Sequence, residues 1–196
     1  MGLALYRESF DDWIERWSPF IQERFFADFE NATGITRDAA HWPGEDHTYW
    51  KLGSYTRYGI FTLFLTYLIE GDFESELEDD EDIELEALQS FRSQFSPVSI
   101  TVDYAAHFTG TGDSDTIFIP AMFDKPFYWD ESWVASMPAA IIALESLAKA
   151  LDFSLTVDNE PEELDGKWNA AATARNIARD IYVFFKESKN TCVAYS

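Results

Sequence analysis

The chain has 196 residues, 36 acidic against 14 basic side chains and a formal net charge of −22. That balance argues against direct binding of nucleic-acid phosphates and against attraction to an anionic membrane. Apolar residues at 46% and aromatics at 17% are too many for a disordered chain, so one folded domain over residues 1–196 is expected, able to bury roughly 70% of its unfolded surface.

The lone Cys192 rules out a disulfide within the chain and points to a reducing compartment, hence a cytoplasmic protein. The N-terminal MGLALYRESFDDW turns acidic too soon, after too short an apolar run, for a signal peptide.

Residues 9–31 read as helix, broken at Ser18-Pro19. Ser18 caps the second segment and Pro19 takes its first position. Phe20, Ile21, Phe25, Phe26 and Phe29 recur at helical spacing and are expected to face a core. Gly34 is a stop signal. Trp13 and Trp17 lie four apart and are expected to pack inward.

Residues 35–53 have no clear period. They include HWPGEDHTYW, where His41, Glu45, Asp46 and His47 are metal-ligand types. The spacing matches no helical H-E-x-x-H pattern, and Pro43-Gly44 marks a turn. An ordered loop with aromatic anchors is therefore expected, and no metal or cofactor. Residues 54–69 predict a helix apolar on most sides, central to a core and too short to cross a bilayer.

The acidic stretch follows. Residues 70–86 hold eleven carboxylates in seventeen positions, with an acid at every even number, and no basic residue stands between Arg57 and Arg92. Extended, the even positions would repeat at roughly 6.6 Å. Duplex DNA carries about one charge per 1.7 Å of axis, so the segment is a poor copy of a duplex. The preferred reading is a loop through Glu78, then a helix from about Asp80 whose acids favour the positive end of the helix dipole. Leu85, Leu88, Phe91 and Phe95 would form its buried stripe.

Ser96-Pro97 ends that helix. Residues 98–108 alternate apolar and polar, which predicts a strand with one wet face. Residues 109–115 read as a turn-forming loop, and residues 116–123 as a second strand of a hairpin, with Pro120 placing it at an edge or ending it. Residues 124–136 read as an aromatic-rich loop. Ser136 caps a helix with Ile141, Leu144, Leu147, Ala148 and Leu151 inward. Residues 153–157 suggest a short strand, and residues 159–164 an acidic connector. Asp165 is expected to cap a final helix, with Trp168, Ala171, Ala174, Ala178, Ile181 and Phe185 on its buried face, and residues 191–195 to add an edge strand. The sum is α+β: a helical N-terminal half, a small, mainly antiparallel sheet (β-β-α-β) and a C-terminal helix.

Motifs of catalysis are sparse. No Walker loop or G-x-S-x-G elbow occurs. Gly110-Thr111-Gly112 leads into Asp113 and Asp115, which repel phosphate and read as a hairpin loop. His107, Asp103 and Ser99 share a strand face in this reading and so would not converge as a triad. Cys192 lacks a local base. Arg175 and Arg179, one turn apart, are expected to pair with the acidic body.

The sequence thus favours a non-enzymatic interaction protein, such as an immunity-type or phage-type inhibitor that occludes a basic nuclease or toxin. Its expected contact residues are Glu74, Glu76, Glu78, Asp79, Asp80, Glu81 and Asp82, with Trp129 and Trp133 as aromatic anchors. The alternatives are a small enzyme or ligand-binding domain with a pocket beside His41, His47 and Trp50, and a subunit of a larger assembly.

Overall fold

The computed structural model describes residues 4–40, 48–51, 55–71, 82–95, 100–109, 116–188 and 191–195. In chain order these form β1 (Ala4–Ser9), α1 (Phe10–Glu15), α2 (Pro19–Thr33), a 3-10 turn (Arg37–Ala39), β2 (Thr48–Lys51), α3 (Tyr55–Glu70), α4 (Asp82–Gln94) and α5 (Ala106–Thr109). There follow β3 (Thr116–Ile119), β4 (Phe127–Trp129), β5 (Ser132–Ser136), α6 (Met137–Ala150), β6 (Glu163–Leu164), β7 (Lys167–Trp168), α7 (Ala170–Glu187) and β8 (Thr191–Tyr195). The class is α+β.

One sheet runs in the order β2-β1-β8-β3-β5-β4, and β6 and β7 form a separate ribbon. Every neighbouring pair in the large sheet is antiparallel except β3 and β5. Strand alternation divides the interior into two cores. Phe118 and Ala135 face one core, together with Leu5 and the apolar sides of α3, α4, α6 and α7. Ile117, Ile119, Val134 and Trp129 face the other, against Phe10 and Ile14 of α1 and Phe25, Phe26 and Phe29 of α2. The helices therefore cover the sheet on both sides.

Several elements form for the reasons their sequences predict. Ser18 caps α2, its hydroxyl accepting from the Ile21 amide, and Pro19 opens the helix. Gly34 closes it in the left-handed region at φ 74°. Ser136 caps α6, accepting from Ala139 at 3.1 Å. On α7, Ala171, Ala174, Ala178, Ile181 and Phe185 are buried. On α4, Leu88 and Phe91 are buried and Leu85 is partly so, as is Phe95 just past its end.

Other expectations are corrected. Phe20 is 75% exposed and Ile21 37%. With 3.6 residues per turn, Phe20 lies nearly opposite the face set by Phe25, Phe26 and Phe29, so spacing alone misassigned it. The expected strand over residues 98–108 is absent from its described part. Residues 103–105 turn, Tyr104 has φ 59°, and α5 follows. Val102, Ala105 and Phe108, three apart, are the buried apolar set, a turn-and-helix spacing that mimicked alternation. The hairpin expected with β3 falls with that strand.

β3 ends before Pro120, and it lies between β8 and β5 rather than at an edge. β8 is likewise interior, paired with both β1 and β3. The expected loop of residues 124–136 contains the β4–β5 hairpin, whose two turn residues Asp130 and Glu131 have φ 46° and 69°. Positive φ at both central positions is the twist-compatible geometry for a two-residue hairpin.

Residues 153–157 form no strand, because the Ser154 carbonyl accepts from Arg179 of α7 instead of a sheet partner. Asp165 does not cap α7. Asp165 and Gly166, at φ 52° and 75°, turn the β6–β7 ribbon. Asn169 is the cap, accepting from Ala172 at 3.1 Å. β1 and β2 were not anticipated; β2 occupies part of the stretch read as irregular.

Candidate functional site

The acidic stretch begins and ends on well-packed helices. α3 closes at Glu70, which is exposed, and Gly71 follows at φ 96°. Glu74, Glu76, Glu78, Asp79, Asp80 and Glu81 lie outside the described residues, and Asp82 is the first residue of α4. Beyond it, Ile83 is 47% exposed and Glu86 is exposed, whereas Ala87, Leu88 and Phe91 are buried. The Phe91 ring meets Phe64 of α3 with centroids 4.9 Å apart. The acid-rich start of α4 thus includes an outward side on a helix fixed by its opposite, apolar side.

The two aromatic candidates lie on opposite faces of the β4–β5 hairpin. Trp129 is a wall of the core beside α2: it is 5% exposed, 4.8 Å from the Trp17 ring, and its indole N–H donates to Asp28 at 3.0 Å. Little of its surface is left for a partner. Trp133 is half-buried on the other face, where it meets the edge of Tyr128 at 5.4 Å. Tyr128, 56% exposed, is the open aromatic of this hairpin. Alternation of side chains along β4 carries this information, but reading the segment as a loop concealed it.

His107 is fully buried. Its Nε2 lies 3.2 Å from the Phe123 carbonyl, and its Nδ1 accepts from the Ser136 amide at 3.2 Å. The neutral Nε2–H tautomer satisfies both bonds. Desolvation lowers its pKa to about 4, against smaller raising effects from the Phe123 and Asp124 backbone and the Asp124 charge. The Ser136 hydroxyl donates to the Ala121 carbonyl at 2.7 Å. This constellation joins the chain before α6 to the ends of β3 and β5.

Among the described residues, no group of three His, Cys, Asp or Glu side chains could hold a metal ion. His41 and His47 lie outside them, as do Gly110, Gly112, Asp113 and Asp115; Trp50 is in β2. Cys192 is in β8, paired in register with Glu8.

The densest polar cluster fixes the connector between α6 and α7. Glu160 accepts from Arg175 at 2.8 and 2.5 Å, and from Arg179 at 2.7 Å. These cations hold the Glu160 carboxyl below its ordinary range, Arg175 contributing most. Arg179, 4% exposed, also donates to the Ser154 carbonyl and to Asn176. The Asn176 side chain accepts from the Glu160 amide and donates to the Glu160 carbonyl and to Glu162. Glu162 further pairs with Arg57 of α3 and accepts from Thr173. Arg175 and Arg179 thus pair with acids of the body, as expected.

Beside this cluster lies an open groove of about 390 Å³, lined by Leu155, Thr156, Val157, Asp158, Asn159, Arg179, Asp180 and Val183. Composition named the connector acidic, but nothing in the sequence showed that it is held rigidly or leaves a groove. The chain matches no known family model, curated protein or solved structure.

Proposed function

We propose that this is a non-enzymatic acidic protein that binds and occludes a basic protein partner, in the manner of an immunity-type or phage-type inhibitor. One observation carries the reading: the charge is −22, and several of its few cations are spent within the fold. Arg57, Arg175 and Arg179 are committed to Glu160 and Glu162, and Arg7 to Glu187. Acids therefore dominate what remains outward. The run from Glu70 to Glu86 concentrates that charge, and its last turns belong to a helix held by its apolar side.

Such a surface attracts a basic partner over long range and orients it, which raises the association rate in a salt-sensitive way. Affinity then comes from a few desolvated contacts. Among the described residues, Phe20, Leu164, Tyr128, Val157 and Ile83 are large apolar side chains with enough exposed surface for that role, and Ile83 is the one on the acid-rich start of α4.

The test starts with basic proteins from the native cell that elute from the immobilised protein only at high salt. For one such partner, association is then timed by stopped flow against a variant in which Glu76, Glu78, Asp80 and Asp82 are replaced by Gln or Asn. At low salt the variant should associate about tenfold more slowly, with a flatter salt dependence. An unchanged rate would remove the acidic stretch from the mechanism.

A further inference from the structure

We propose that the groove between residues 155–159 and α7 is a docking site for one lysine or arginine side chain of the basic partner. This rests on the reading that the partner is basic, and it adds a second contact, away from residues 70–86.

Leu155, Val157 and Val183 supply apolar wall, and Val157 is 55% exposed in a segment otherwise rich in acids. Asp158 and Asp180 supply carboxylates. Among the described residues Arg179 is the one cation lining the groove, and its charge is already met by Glu160 at 2.7 Å. The guanidinium also donates to Ser154 and Asn176 and packs over the Phe153 ring at 5.4 Å. The local balance is therefore negative.

Asp180 is half-buried and accepts a 3.4 Å hydrogen bond from the Asn159 side chain; no ion pair to it occurs among the described residues. Desolvation raises its pKa, opposed by the Asn159 bond and the charges of Arg57 and Arg179, and reinforced by Glu162. A carboxylate that has lost water without a direct ion pair is stabilised when a further cation arrives beside it.

Lysine and arginine match both features: an alkyl stem for the valines and a charged head for the aspartates. The groove is too open to enclose a small molecule, which suits a side chain presented by another protein. Its shape is set before binding, because the Arg175–Glu160–Arg179–Asn176 bonds fix the connector on α7.

The test is an amide NMR titration of the full chain with acetyl-Gly-Lys-Gly-amide and acetyl-Gly-Arg-Gly-amide, with the norleucine peptide as the uncharged control. The cationic peptides should give saturable shifts at residues 155–159 and 179–183, and the norleucine peptide none. Asp180→Asn, close to isosteric, should weaken the cationic peptides at least fivefold while leaving shifts elsewhere unchanged. The groove shifts should persist in the variant neutralised at Glu76, Glu78, Asp80 and Asp82. Shifts confined to residues 70–86, or spread evenly over the acidic surface, would overturn the groove site and leave the acidic-surface reading standing. No shift at residues 155–159 and 179–183 would also overturn it, whatever the association kinetics show.

Discussion

His107 ties acid stability to a single buried ring. In the unfolded chain it takes up a proton near pH 6.5; in the fold it does so only near pH 4. Between those values the unfolded state holds more protons, so stability rises with pH and is lost as pH falls from about 6.5 to 4. The full loss is about 3 kcal/mol. Glu160, held below its ordinary pKa, contributes stability that is lost further down, as pH falls below the carboxylate range. Asp180 acts in the opposite sense, since a raised carboxyl is relieved by protonation. A comparison with His107→Gln isolates the histidine from these groups and from general charge. Urea unfolding at pH 7, 5.5 and 4.5 should show the variant less stable at pH 7, with the gap closing as the pH falls. A gap constant with pH would show that His107 does not titrate on unfolding in this window.

The connector network makes a graded prediction for two arginines on one helix. Arg179 has a 5% exposed side chain and bonds to Ser154, Asn176 and Glu160, while the Arg175 side chain is 14% exposed and bonds to Glu160. Removing a partner from a buried, bonded charge pair costs about 3–5 kcal/mol. Arg179→Ala should approach that range and Arg175→Ala should cost less, as read from the urea midpoints. Equal costs would mean that the Ser154 and Asn176 bonds contribute little.

The helices were legible because their signals are local. Ser18-Pro19, Gly34 and Ser136 act within one turn, and the apolar stripes of α4 and α7 repeat within the segment. The sheet was less legible because its partners are distant in sequence: β8 pairs with β1 from the far end of the chain, and no local pattern encodes that register. Where local signals failed, competing bonds decided. The Ser154 carbonyl went to Arg179, and the Asp165-Gly166 dipeptide made a turn and left the capping to Asn169.

At the scale of the molecule, the sign and the clustering of charge could be read from composition, but the rest of the candidate site could not. The groove exists because arginines of α7, Arg57 of α3 and two glutamates of the connector meet in space. Trp129, by contrast, looked like a contact residue and is used inside. A surplus of 22 negative charges also carries a cost that follows without reference to any partner. Like charges held on a folded surface repel more strongly than on an expanded chain. Salt screens exposed charges over about 10 Å at 0.1 M and about 3 Å at 1 M. The protein should therefore gain thermal stability as sodium chloride rises from low to high concentration. Neutralising Glu76, Glu78, Asp80 and Asp82 together should raise Tm in low salt, and the advantage should shrink in high salt because screening already supplies the same relief. Calorimetry of both proteins across the salt series checks this. If the variant is less stable in low salt, those carboxylates make favourable contacts within the fold, and the stretch is then more a part of the protein's own architecture than a surface held ready for a cation.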